Sequence, residues 1–245
     1  MSLAAVPIVA APSNGRPTFH IAFCADDNYC RPMGATIASI VANNPGQHFT
    51  FHLLAIALSD DNQARFKRLD AMLPAAATRI HLLDEALFAQ FSGFLGHSHY
   101  SLSIFTRLVI PDVLQGQTER VLYLDADILC LGKLDELIDI DFDGKLAVVV
   151  PDAPVTTRRR VAALDLPHEE YFNAGVMLIN VAPWIAAGAL FGGYLAQSPW
   201  ADLALDGAPR NTKEMRMHSR FLLRQGKPLQ SLGWYVRYLR KRRRK

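Results

Sequence analysis

The segment from Arg120 to Cys130 (RVLYLDADILC) constrains this chain more than any other. Val121, Leu122, Tyr123 and Leu124 read as a buried strand that runs straight into Asp125, Ala126 and Asp127. Side chains alternate along a strand, so residues two apart share a face. At a fraying carboxyl end both acids can turn toward one ion. Ligands of open α/β sheets bind outside the carboxyl ends of strands. Two hard oxygen ligands there suit Mg²⁺ or Mn²⁺, which complete their shells with water and substrate phosphate. A solvated turn after a strand has the same composition, and the neighbouring segments have to decide between the two.

Upstream, Phe19 to Phe23 reads as the first strand and runs into CADDNY (24–29), with a helix over about residues 32–42. A strand ending in acidic and amide groups, with Pro32 opening the helix, is a βα turn where a nucleotide would lie. The chain has neither GxGxxG nor GxxxxGK[ST], so no dinucleotide fingerprint or P-loop is supported. Asn43, Asn44, Pro45 and Gly46 stop the helix. Phe49 to Leu58 is a second strand, whose near-continuous apolar run predicts burial on both faces. Ser59 caps a helix with Asp60 and Asp61 in its first turn, ending near Pro74, and Thr78 to Leu83 is a third strand. This βαβαβ order predicts a parallel, doubly wound sheet.

In the next stretch Phe88, Phe91 and Phe94 read as core, and His97, Ser98 and His99 as a polar loop or a metal-binding pair. Leu102 to Leu114 reads as a helix carrying Arg107 among apolar neighbours. Such a cation pairs with a structural carboxylate or with a ligand's phosphate. Leu134 to Leu137 is a short helical turn, and Leu146 to Val150 a buried strand that ends before Asp152. In FNAGVMLIN (172–180) the small Ala174 and Gly175 precede a final strand, where backbone and Asn173 can approach a ligand closely.

With 245 residues, half of them apolar, the chain can bury a large core as one α/β domain, or as a domain plus an appendage. No run of eighteen uncharged apolar residues is present, so no spanning helix is expected. Residues 1–18 lack a basic start, are broken by Pro7 and Pro12, and read as a loose leader. Cys24, Cys30 and Cys130 have no metal spacing and fit reduced thiols in a cytoplasm. Charge is divided: residues 1–209 carry 13 Lys/Arg against 22 Asp/Glu, whereas residues 210–245 carry 13 against the single Glu214. Such a tail calls for a polyanion, either nucleic acid or an anionic membrane. It reads as two helices, about 212–224 and 228–241. Arg216, Arg220 and Arg224 lie on one face of the first, and Trp234, Tyr235 and Tyr238 precede a basic end. A basic amphipathic helix with interfacial aromatics favours the membrane surface.

FCADDNY (23–29), FTRL (105–108), VLYLDAD (121–127) and YFNAGVMLIN (171–180) resemble, in order and spacing, the retaining sugar-nucleotide transferases of glycosyltransferase family 8, over about residues 19–184. Within it the pattern is most similar to the bacterial lipopolysaccharide core α-galactosyl- and α-glucosyltransferases. The resemblance implies a GT-A-type, Rossmann-like, mainly parallel sheet flanked by helices over residues 19–190, with a short basic helical C-terminal domain over 198–245. It implies a UDP-galactose or UDP-glucose donor, a lipopolysaccharide core acceptor, and Mn²⁺ or Mg²⁺ on Asp125 and Asp127, with Ala126 beside the nucleotide. Cys24, Ala25, Asp26 and Asn28 would line the uridine pocket, with Asp26 the partner of base or ribose. Arg107 and Asp152 would meet the donor sugar as the catalytic pair, and Asn173, Ala174 and Gly175 would shape the wall beside it. Retention needs a carboxylate nucleophile or same-face attack, and no residue stands out as the nucleophile. The implied place of work is the cytoplasmic face of the inner membrane, held through the tail, with no nucleic acid partner.

The pattern breaks after Trp184. The family continues with a helix, an Asp-Gln-Asp motif, and a later His-x-x-Gly-x-x-Lys-Pro-Trp segment whose His is a third metal ligand and whose Lys contacts phosphate. Here Ile185 to Tyr194 leads almost at once to Ser198, Pro199 and Trp200, and Gly226-Lys227-Pro228 lacks both the His and the Trp. His218 is the remaining candidate ligand in that region. The chain therefore resembles a family member with an internal deletion near residues 186–196. That reading predicts weak donor binding with poor transfer, or a degenerate remnant that does not turn over.

Overall fold

Six strands, β1 (Phe19–Cys24), β2 (Phe49–Ala55), β3 (Ala76–Leu82), β4 (Arg120–Leu124), β5 (Ala147–Pro151) and β6 (Phe172–Asn180), form one sheet in the order β3-β2-β1-β4-β6-β5. The computed structural model describes residues 15–91, 102–164, 166, 168, 170–196, 216, 219 and 228–242. The first four strands in this order pair in parallel, while β6 is antiparallel to both β4 and β5. The carboxyl ends of β1, β4 and β5 and the amino end of β6 therefore lie along one edge. Between β1 and β4 the strand order reverses, which is where open α/β sheets place their ligands. The expected mainly parallel sheet is observed.

Burial follows from composition. Every residue of β2 is buried, Thr50 and His52 included, in keeping with its largely apolar run. On one face Phe23, Phe49 and Phe51 stack, and α1 (Cys30–Asn43) covers them with Met33, Ile37 and Ile40, spaced one helical turn apart. Beside it α2 (Asp60–Met72) is mostly polar and buries only Phe66, with Leu69 packed partly against the same core, and the Ser59 hydroxyl caps it by accepting from the Asn62 amide. On the other face Ala22, Leu54, Val121, Tyr123, Met177 and Ile179 pack against α3 (Ile110–Leu114) and the start of α6 (Val181–Ala196). The short α4 (Asp135–Ile138) and α5 (Pro154–Leu164) follow β4 and β5.

Three expectations need correction. Residues 102–114 are not one α-helix: Leu102–Val109 is a 3-10 helix, and only Ile110–Leu114 is α-helical. Pro111, in the first turn of α3, lacks the amide that would continue the ladder. The strand β5 is not buried: it is an edge strand with Val149 and Val150 substantially exposed. Its four apolar residues read as core because periodicity cannot separate an edge from a centre. Finally, Ala174 and Gly175 do not precede β6 but lie inside it.

The described residues fall into two compact units, one from residues up to 84 together with 103–198, the other from 85–102 together with 199–245. In the second, Glu85–Phe91 is a 3-10 helix, and α7 (Pro228–Arg242) carries Tyr235 and Tyr238 in ring contact. Phe88 is buried as expected. The leader up to residue 14, Phe94, the His97–His99 stretch, His218 and most of the expected 212–224 helix lie outside the described residues, as do the side chains of Phe91 and Trp234.

A ladder of histidines crosses three strands on the face shared with Ala22 and Leu54. His20 Nδ1 lies 2.9 Å from His52 Nε2, and His52 Nδ1 lies 3.0 Å from His81 Nε2, with the rings stacked. Each contact needs one donor and one acceptor, which neutral imidazoles supply. Burial, then the neighbouring His20, His81 and Arg79, pushes His52 down to about 3, and burial followed by Arg79 lowers His20 and His81 as well. An unfolded histidine titrates near 6.5. Between that value and about 3 the unfolded chain thus binds more protons than the folded one, so stability falls as pH is lowered through this window. Denaturant titrations at stepped pH are expected to show this decline, with a flatter slope for His52→Phe. An unchanged slope in the variant would mean that the ladder does not carry the pH dependence.

Candidate functional site

The carboxyl end of β4 is built around Asp125. Its amide donates to the Gly175 carbonyl at 2.8 Å, continuing the ladder with β6 by one step. Its Oδ1 accepts from the Tyr123 hydroxyl at 2.6 Å and lies 3.5 Å from Arg107 Nη2. Arg107 is itself pinned, donating from Nε to the Ile104 carbonyl and from Nη1 to the Ala174 carbonyl, with its guanidinium 4.8 Å above the Tyr123 ring. Burial, more than any neighbour, pushes the Tyr123 hydroxyl far above the ordinary tyrosine range, so it remains a donor. Arg107 thus pairs with a carboxylate of the chain itself, one of the two partners expected for it.

A bulge shapes the opposite wall. Val149 of β5 pairs with Met177, but the next residue, Val150, pairs with Asn173, so Ala174, Gly175 and Val176 have no partner on β5. The bulge turns the Ala174 carbonyl toward Arg107 and lets Asn173 Oδ1 accept from the Gly175 amide at 2.7 Å. A Cβ on Gly175 would stand 2.5 Å from Asp125 Oδ2 and 2.9 Å from Asn173 Oδ1. Gly175 is therefore small to admit a carboxylate of its own chain, a reason additional to the ligand approach expected from sequence.

The turn after Asp125 is held from the helix side. The Thr36 hydroxyl of α1 lies 2.6 Å from the Ile128 carbonyl and 3.0 Å from that of Ala126. Ser39 Oγ accepts from the Cys130 amide, Asn43 donates to the Cys130 carbonyl, and Asn44 Oδ1 accepts from the Leu134 amide. One polar flank of α1 thus anchors residues 126–134 while its apolar flank packs on the sheet. Asp127 sits on this anchored turn with its side chain exposed.

The remaining expected residues lie along the same edge, though not all in the same network. Cys24 ends β1 beside Thr106 and Arg107, and burial pushes its thiol up to about 12, so it stays protonated and is no nucleophile at neutral pH. Ala25 is buried, and Asp26 Oδ1 caps the 3-10 turn Asp27–Tyr29 by accepting from the Asn28 amide. The Asp27 carboxylate accepts from the Ser59 amide and its backbone carbonyl from Asn62 Nδ2, and hydrogen bonding from Asn62, then from Ser59, holds its carboxyl below the usual range. Asp152 follows β5 in its own turn, accepting from the Ala153 amide, and makes no bond to Asp125 or Arg107. Sequence reasoning missed Tyr123, Thr36, Ser39, Asn43 and Asn44. The spacing of Tyr123 to Asp125 was a readable signal, since residues two apart on a strand share a face.

Chemically, the donors fit a hard divalent cation. Asp125 Oδ2 has no protein donor among the described residues, and Asp127 presents a second carboxylate at the same edge. Among the described residues no group of three His, Cys, Asp or Glu completes such a site. A cation here would take its other ligands from water and a bound phosphate.

Gly175→Ala is expected to overpack this corner and to lower stability by about 1–3 kcal/mol, read as a shifted denaturation midpoint. Unchanged stability would show that the Asp125 carboxylate has another resting place.

The family description "Glycosyl transferase family 8" matches residues 20–190, and "Glycosyl transferase family 8 C-terminal" matches residues 186–242. The chain is 34% identical over 173 residues to the lipopolysaccharide 1,3-galactosyltransferase of Salmonella typhimurium, covering 69% of this chain and 50% of that protein. It is 35% identical over 176 residues to a lipopolysaccharide 1,2-glucosyltransferase of Escherichia coli, with the same coverages. It spans about half the length of the curated relatives it matches. Among solved structures, the galactosyltransferase LgtC in complex with donor and acceptor sugar analogues superposes with a TM-score of 0.60 at 26% identity, covering 73% of this chain and 64% of that one. An active-site mutant of LgtC gives 0.61 at 27% identity, covering 76% and 65%. The four motifs gathered along one sheet edge, the GT-A-type sheet, and a family match over most of the residues place the chain in glycosyl transferase family 8.

Proposed function

We propose that this chain transfers a hexose from UDP-galactose or UDP-glucose, with retention, to a lipopolysaccharide core sugar. The observation that carries the reading is Asp125, held through Oδ1 by Tyr123 and Arg107 at the strand-order reversal, with its Oδ2 given no protein donor among the described residues. The names of the relatives support the sugar and acceptor classes. Asp125 and Asp127 would hold Mn²⁺ or Mg²⁺, which when bound neutralises charge on the departing diphosphate. Cys24, Ala25, Asp26 and Asn28 receive the uridine, with Asp26 Oδ1 already oriented by the Asn28 amide. Ala126 lies beside the nucleotide on the turn that α1 anchors. Arg107 neutralises Asp125 and stands ready for donor oxygens, Asn173, Ala174 and Gly175 wall the sugar, and Asp152 meets it from the end of β5. Residues 19–190 act as the transferase domain, and residues 198–245 as a basic helical domain.

A second reading is donor binding without turnover. It is favoured by the place where the two family descriptions meet: residues 186–190 lie within α6, which continues unbroken from Val181 to Ala196. No third metal-binding side chain joins Asp125 and Asp127 among the described residues. The two readings separate on turnover of UDP-galactose and UDP-glucose with Mn²⁺ and a lipopolysaccharide core acceptor. A kcat in the usual range of roughly 1–1000 s⁻¹ supports transfer. Metal-dependent UDP binding with no turnover supports the second reading. In either case the double replacement Asp125→Asn with Asp127→Asn is expected to abolish Mn²⁺-dependent UDP binding while the fold survives. Unchanged binding in calorimetry would remove Asp125 and Asp127 from the ion site.

The proposed place of work is the cytoplasmic face of an anionic membrane, reached through the tail. No helix among the described residues is long and apolar enough to cross a membrane. On α7 the exposed Leu232, Tyr235, Val236 and Leu239 recur at helical spacing, and Arg237, Arg240 and Arg242 share the helix. An apolar stripe among cations suits the lipid interface, where each basic residue contributes about 1 kcal/mol near an anionic surface. Replacing Arg237, Arg240, Lys241 and Arg242 by Gln in the full chain is expected to reduce co-sedimentation with phosphatidylglycerol vesicles at moderate salt. Equal co-sedimentation would rule out this role for α7.

A further inference from the structure

We infer that Tyr123 is a positioning residue for the proposed ion site: it confines Asp125 to single-oxygen ligation and so biases the site toward small divalent cations over Ca²⁺. This rests on the reading of Asp125 as a ligand and adds a residue that neither the motifs nor the comparisons assign.

The argument starts from burial. Tyr123 is 0% exposed, packed among Ala22, Val121, Met177 and Ile179 on the face covered by α3 and α6. Phenylalanine would supply the same apolar contact, and a buried hydroxyl is a net cost unless it is bonded. Its one hydrogen bond is to Asp125 Oδ1, at 2.6 Å, the short distance of a bond to a charged acceptor. Strand alternation delivers the hydroxyl to the carboxylate without any distortion of the backbone. The ring is held in turn by the guanidinium of Arg107, 4.8 Å above it.

Asp125 is then held at its amide and at one carboxylate oxygen, while its side chain stays 44% exposed. Its amide is tied to the Gly175 carbonyl, and its Oδ1 is claimed by Tyr123 with Arg107 close by. Its Oδ2 fills the space a Cβ on Gly175 would occupy, so swinging the carboxylate to present both oxygens toward the open edge would break the Tyr123 bond. Mg²⁺ and Mn²⁺ bind short and octahedrally, often through single carboxylate oxygens. Ca²⁺ is larger and gains from bidentate carboxylates in a flexible shell. A carboxylate locked at one oxygen therefore favours the smaller ions.

The test is metal binding itself, measured on the full chain without nucleotide, by the electron paramagnetic resonance signal of free Mn²⁺ and by calorimetry with Ca²⁺. Tyr123→Phe keeps the ring beneath Arg107 and removes only the hydroxyl. Loss of a group that orients a ligand is expected to weaken Mn²⁺ binding by about tenfold to a hundredfold, with a smaller change for Ca²⁺, so that the preference narrows. Asp125→Glu is an independent second variant: its longer side chain carries the carboxylate past the hydroxyl, and the preference should narrow with Tyr123 intact. Equal losses for both ions in Tyr123→Phe, or a wild-type preference in both variants, would overturn the inference and leave the hydroxyl a structural role. The ion-site reading fails separately, if Asp125→Asn binds Mn²⁺ as tightly as the wild type, and the role of Tyr123 falls with it.

Discussion

A carboxylate brought to the end of a buried strand needs partners, and Asp125 has two at its Oδ1. The Tyr123 hydroxyl and the Arg107 guanidinium meet that oxygen, while the residue's amide is tied to the β6 backbone. Charge is costly near an apolar core unless it is paired and hydrogen-bonded. The surrounding architecture meets that need in layers. Arg107 is held by two backbone carbonyls and by the Tyr123 ring, and Gly175 forgoes a side chain so that Oδ2 has room. The Val149/Val150 register shift in β5 frees the Ala174 carbonyl to receive Arg107.

The helix α1 does a complementary job. Its Met33, Ile37 and Ile40 complete the larger core, while Thr36, Ser39, Asn43 and Asn44 grip the loop after Asp125. One helix therefore couples sheet packing to the position of the acidic turn. The loop would otherwise carry unpaired backbone groups against the helix, and these polar side chains satisfy them. Asp127 inherits its place from that grip, although it makes no bond of its own to α1.

Much of this was legible in the chain. Alternation and burial placed β1 to β4 and β6, Ser59 marked the start of α2, and the two aspartates marked the site edge. The misreadings share one cause: local pattern carries no information about which neighbours a segment will have. Leu146 to Val150 reads as core, yet the strand there lies at the sheet margin, with no further strand beyond it among the described residues. Ala174 and Gly175 read as a break before a strand, yet the antiparallel pairing with β4 runs through Val176 and reaches Gly175 by the Asp125 amide. Leu102–Val109 is a 3-10 helix whose Thr106 hydroxyl lies near the Leu54 carbonyl of β2, and helical periodicity does not reveal that geometry.

What the sequence determined by itself is the set of strands and helices, the parallel first half of the sheet, and the acids and amides at strand ends. These follow from side-chain alternation, helix caps and turn residues, which act over a few positions. Tertiary structure alone decided which of those groups meet. Arg107 and Asp125 are separated by eighteen positions and Gly175 by fifty more; the β4-β6 pairing brings Gly175 to Asp125, and the 3-10 helix carrying Arg107 brings the guanidinium. The same holds for Thr36 and the turn at Ala126, joined across ninety positions. Contacts of that separation depend on strand order and register, which emerge when the whole sheet buries its two faces at once.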